Sequence, residues 1–140
     1  MSQHPAREVS LSSREYVHAH NKEGWLSLFA EDGVIEDPIG HSYLDPGGNG
    51  HRTSEQREAF WDNNIANSDI NITIHQSYSV GSEVANHVTL AMVFEHEGRR
   101  MKQEVNGVFT YAVDGEGKLK SLRGYWELEV AMQTIVPVSD

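Results

Sequence analysis

Two periods divide the chain. Up to about residue 66 the apolar positions recur at helical spacing; from Ile70 onward they alternate with polar ones. Met1–Val9 reads as a loose arm. Ser12 and Glu15 have capping-box spacing and predict a helix start, with Tyr16, Ala19 and His20 on one face. A second short helix is predicted over Glu23–Ala30, with Trp25, Leu28 and Phe29 on one stripe and Gly33 ending it. Gly33–Asp37 reads as a short strand stopped by Pro38. The run His41–Arg52 holds Asp45-Pro46-Gly47-Gly48-Asn49-Gly50, which is turn chemistry and predicts a loop. Thr53 and Gln56 form a second capping box before a helix presenting Phe60, Trp61, Asn64 and Ile65 together.

Alternation then marks four strands. Ile70, Ile72, Ile74, Tyr78 and Val80 belong to the first of them. Val84, Val88, Leu90, Met92 and Phe94 follow in the second. Met101, Val105, Gly107, Phe109, Tyr111 and Val113 share one face of the third, and Leu122, Gly124, Trp126 and Leu128 alternate in the last. Gly81-Ser82, Glu97-Gly98 and Asp114-Gly115-Glu116-Gly117 are the turns between them. Residues 129–140 read as a C-terminal tail. Helices first and hairpin-linked strands afterwards predict an α+β fold: about three N-terminal helices on one face of a curved antiparallel or mixed sheet, enclosing an apolar pocket.

Composition narrows the function. The chain has 140 residues, fitting one domain, with 38% hydrophobic and 23% charged residues. Eleven basic against 21 acidic residues leave a formal net charge of −10. Such a surface repels phosphate backbones and argues against nucleic acid or an anionic membrane as partner. No cysteine is present, which excludes disulfides, thiolate metal sites and thiol nucleophiles. No signal-peptide core or membrane-spanning run is visible, so the cytosol is the expected compartment. The eight histidines lack metal-ligand spacing, and neither a phosphate loop nor a Gly-x-Ser-x-Gly motif occurs; no metal and no cofactor are expected.

One carboxylate stands out. Ile35 and Asp37 are two residues apart on a strand, so if Ile35 faces the core, Asp37 does too, with Glu36 turned to solvent. An inward carboxylate is costly unless paired or used. An Asp before Pro is also a common turn residue, so periodicity alone leaves both readings open. Tyr16 on a helix face is either a ligand donor or an amphipathic core tyrosine. Phe29, Phe60, Trp61, Phe94, Phe109 and Trp126 come from both helices and sheet. They read as core, with some of them available to line a cavity.

Three stretches resemble bacterial ketosteroid isomerases: Tyr16-Val17-His18-Ala19-His20-Asn21, Leu28-Phe29-Ala30-Glu31-Asp32, and above all Ile35-Glu36-Asp37-Pro38-Ile39-Gly40. Arg57–Trp61, Gly98-Arg99-Arg100, Phe109, Gly115–Lys118 and Ser121–Arg123 continue the likeness in order, over about residues 10 to 128. Glu23–Gly40 is most similar to actinobacterial ketosteroid-isomerase-like proteins. The wider superfamily includes nuclear transport factor 2 and SnoaL-type polyketide cyclases. The resemblance implies a cone-shaped fold, a homodimer through the outer sheet face, and a small lipophilic, steroid-like or polycyclic ligand. It implies Asp37 as a base moving a proton beside a carbonyl and Tyr16 as donor to the oxyanion. Phe29, Phe60, Trp61, Met92, Gly107, Phe109 and Trp126 are the expected ligand-binding set. In those isomerases a protonated aspartic acid is the second donor; its position falls on Gly107, which donates nothing and leaves space for water or a differently shaped ligand. The alternatives are a non-catalytic binder of small lipophilic ligands and a cyclase or dehydratase on the same fold.

Overall fold

The computed structural model describes residues 4–138. Its helices are α1 (Pro5–His18), α2 (Lys22–Leu26), α3 (Ser54–Phe60), which runs into a π-turn (Trp61–Ile65), and α4 (Leu128–Gln133). The strands are β1 (Phe29–Glu36), β2 (Ser68–Val80), β3 (Glu83–His96), β4 (Arg99–Val113), β5 (Leu119–Tyr125) and β6 (Val136–Pro137). They form one open six-stranded mixed sheet in the order β1-β5-β4-β3-β2, with β6 pairing β4. All contacts along the path are antiparallel except β1 against β5, which is parallel. The fold is α+β, as the switch of period implies. Among the described residues no helix is long and apolar enough to cross a membrane.

Both chain ends differ from the sequence reading. The helix expected from Ser12 begins at Pro5, with the proline in the first turn, where its missing N–H costs nothing. Of the expected loose arm, residues 1–3 lie outside the described part and Pro5–Val9 are helical. The C-terminal tail folds back as α4 and β6. The second helix stops at Leu26, so Phe29 and Ala30 open β1. Gly33 is a strand residue: a Cβ there would lie 2.7 Å from the Leu119 carbonyl oxygen, so it permits close approach of the backbones.

The buried stripe of α1 is Ala6, Ser10, Ser13 and Val17, not the Tyr16 stripe. Two serines sit on it because each has a partner. Ser10 donates to the Arg7 carbonyl (2.8 Å) and accepts from Asn86 Nδ2 (3.0 Å), while Ser13 accepts from the Trp25 indole N–H (2.9 Å). Trp25 anchors the aromatic core, with ring centroids 4.9 Å from Phe29, 5.4 Å from Trp61 and 6.2 Å from Phe60. Buried Arg57 on α3 locks the helix to β1, donating to the carbonyls of Gly33 (2.7 Å), Glu31 (3.2 Å) and Arg52 (3.2 Å).

Candidate functional site

Asp37 follows directly on β1. Ile35 is fully buried and Asp37 lies on the same side, lining an apolar cavity. Glu36 points the other way, but onto Arg123 of β5 (3.1 Å) rather than into open solvent. Two lobes meet at Asp37, Asn64, Leu90 and Met92. The inner lobe, about 70 Å³, is walled by side chains including Ser13, Phe60, Ile72, Phe109 and Tyr111. The outer lobe, about 150 Å³, is walled by Pro38, Tyr43, Leu44, Val105, Trp126 and Met132, among others.

Among the described residues the Asp37 carboxylate has one close donor, the Trp126 indole N–H, at 2.6 Å from Oδ1. Burial favours the neutral acid and pushes the pKa up to about 6, against the smaller opposing effect of the Trp126 hydrogen bond. Glycine makes room for the pair. A Cβ at Gly124 would stand 2.9 Å from Asp37 Oδ1, Phe109 Cε2 and Trp126 Nε1 alike.

Gly107 has a related role. A Cβ there would lie 2.5 Å from the Tyr125 carbonyl oxygen and 2.8 Å from Trp126 Cβ. The space expected to be open beside Gly107 is therefore filled by the chain leaving β5. Gly107 does not line either lobe; it lets Trp126 close on Asp37.

The other expected site residues divide. Phe60, Met92 and Phe109 line the inner lobe, and Met92 and Trp126 the outer. Phe29 and Trp61 line neither and pack against Trp25 in the core behind. Tyr16 lies outside both walls. Its ring sits over Gly24, where a Cβ would be 2.7 Å from Tyr16 Cε1. The phenol that lines the inner lobe is Tyr111, whose pKa is pushed well up by burial. Ser13, Asn64 and Tyr111 were not marked as site residues by sequence reasoning. Asn64 and Tyr111 were legible as inward-facing, but nothing separated them from plain core.

A larger hollow, about 690 Å³, is an open groove that includes His18, His20, Asp69 and Lys102. It shares Ile70 and Met92 with the inner lobe but has no buried acid, so the chemistry belongs at Asp37.

An open α+β sheet with Asp37 as the acid, among the described residues, in the wall of an apolar cavity defines a class of small cavity-bearing domain. The chain belongs to the SnoaL-like domain family, whose description matches residues 13–121. Among solved structures it is similar to RV0760c from Mycobacterium tuberculosis, at 38% identity and TM-score 0.85, covering 99% of each chain. The same mycobacterial protein in complex with estradiol-17β-hemisuccinate matches at 40% identity and TM-score 0.83, over 96% of this chain and 99% of that one. A Δ5-3-ketosteroid isomerase from Mycobacterium sp. matches at 34% identity and TM-score 0.85, over 97% of this chain and 100% of that one. A computationally designed 17-OHP binder matches at 36% identity and TM-score 0.86, again over 97% and 100%. No curated protein sequence matches.

Proposed function

We propose that the protein binds a flat, largely apolar ligand of steroid-like or polycyclic kind against Asp37, and that Asp37 moves a proton beside the ligand's carbonyl. The carboxylate takes a proton from the carbon next to the carbonyl, the electron pair passes onto the carbonyl oxygen, and the same proton returns to another carbon of the conjugated system. The observation carrying this reading is the carboxyl itself. Buried, with a pKa of about 6 and a single N–H partner, it is largely ionised at neutral pH yet basic enough to take a proton. The ligands named with similar structures, estradiol-17β-hemisuccinate and 17-OHP, support the ligand class. The test is conversion of a Δ5-3-ketosteroid to its conjugated isomer, followed by ultraviolet absorbance. Asp37→Asn is expected to lose about 10²-fold or more in rate, and equal rates in the two proteins would rule the base role out.

A second reading, a binder without turnover, is favoured by Trp126 filling the space beside Gly107, which leaves no acid there to donate to an oxyanion. Tight steroid binding with no isomerisation would select it. The cyclase or dehydratase reading ranks behind these two, because Asp37 and Tyr111 are the titratable side chains among the described residues of the inner lobe.

A homodimer through the outer sheet face belongs to the same proposal. Val108 and Tyr125, cross-strand neighbours on that face, are 37% and 48% exposed, an apolar patch suited to a second copy.

A further inference from the structure

The reaction proposed for Asp37 needs a hydrogen-bond donor for the ligand's oxygen, and Tyr16 lies outside the cavity. We propose that Tyr111 is that donor, with Ser13 and Trp25 as positioning residues behind it. The inference rests on the steroid-like ligand reading above.

The chain of donors starts at an indole. Trp25 Nε1–H can only donate, and it donates to Ser13 Oγ at 2.9 Å inside the core. Ser13 Oγ accepts there and still has its own proton to donate, and the Tyr111 oxygen is its neighbour in the wall of the inner lobe. A phenol oxygen that accepts from Ser13 directs its own proton elsewhere, and the open space beside it is the lobe that Asp37 also lines. The order is then Trp25 N–H to Ser13, Ser13 O–H to Tyr111, Tyr111 O–H to the ligand. Each bond polarises the next. Tyr111 keeps its proton over the whole range in which Asp37 titrates, because burial pushes its pKa far up and the Asp37 charge pushes it the same way. Donor and base therefore hold opposite proton states at neutral pH, as the reaction requires. The three residues come from α1, α2 and β4, so no sequence motif joins them.

The test compares dissociation constants of estradiol-17β-hemisuccinate and its 3-deoxy analogue by calorimetry. Loss of one neutral hydrogen bond predicts that Tyr111→Phe weakens the oxygen-bearing ligand about three- to tenfold and leaves the 3-deoxy analogue unchanged. Tyr16→Phe is expected to change neither. Ser13→Ala should give part of the Tyr111→Phe loss, and Ser13→Thr should restore it, a pattern that mere loosening of the core does not produce. Wild-type discrimination retained in both Tyr111→Phe and Ser13→Ala overturns the donor, as does its loss in Tyr16→Phe. Failure of the wild type to bind either steroid overturns the ligand reading beneath it.

Discussion

Asp37 sits in a site that makes its charge expensive. In the folded protein its carboxyl keeps a proton up to about pH 6, whereas the unfolded chain releases it near 3.8. The folded state therefore binds more protons across that window, and stability falls as pH rises through it. Below the window the cost is absent; above pH 6 it is fully present. Asp37→Asn is expected to stabilise the protein by about 1–3 kcal/mol at pH 7.5 and by close to nothing at pH 3.5, read by denaturant unfolding at the two pH values. Trp126 acts in the opposite direction, since its N–H stabilises the charged carboxylate. Trp126→Phe removes that help, so the acid limb of the pH–rate profile should move to higher pH. An unmoved limb would mean that another group sets it.

At the scale of elements, α3 depends on a buried cation held by backbone carbonyls. Arg57 is 5% exposed and spends its donors on three carbonyls, with its guanidinium 5.7 Å from the Phe29 ring centroid. Burial lowers its pKa, and Asp32 offsets part of that. Arg57→Leu leaves those carbonyls without donors and is expected to cost about 2–4 kcal/mol, measurable as a lowered denaturation midpoint with the slope unchanged. At this scale local sequence fixes some features and long-range contacts fix others. The capping box at Thr53 and Gln56 is present as spelled, because it needs only four adjacent residues. The inward face of α1 was hidden because two of its buried positions are serines, whose partners Asn86 and Trp25 lie 76 and 12 residues away. Tyr16 looked inward on hydropathy alone; the serines occupy the stripe that such a pattern assigns to apolar side chains.

For the whole molecule, the two lobes, about 70 and 150 Å³, are smaller together than the several hundred Å³ usual for ligand sites. Leu90, Met92 and Asn64 stand at the junction, and Met is the residue most able to repack around a guest. Tyr43 and Leu44, 69% and 40% exposed, form part of the outer wall on the loop after Pro38, where movement disturbs the least packing. The outer sheet face carries the dimer proposal. Light scattering is expected to return twice the 15.7 kDa chain mass, and a Val108→Glu change to return it to the single-chain value. A wild-type monomer at micromolar concentration would count against that face.

The sequence by itself determined the α+β class and the hairpin order of β2 to β5, and it marked Asp37 as a candidate whose direction the structure decided. Each of these rests on periods of two or 3.6 residues and on turns spelled by adjacent glycines, all short-range signals. Only the tertiary structure decided what surrounds Asp37. Trp126 reaches it because Gly107 and Gly124 let a distant strand end close in, and Tyr111 and Ser13 share its cavity because α1 crosses β4. A carboxyl's partners are set by contacts between residues up to 89 positions apart, and such contacts leave no period in the chain.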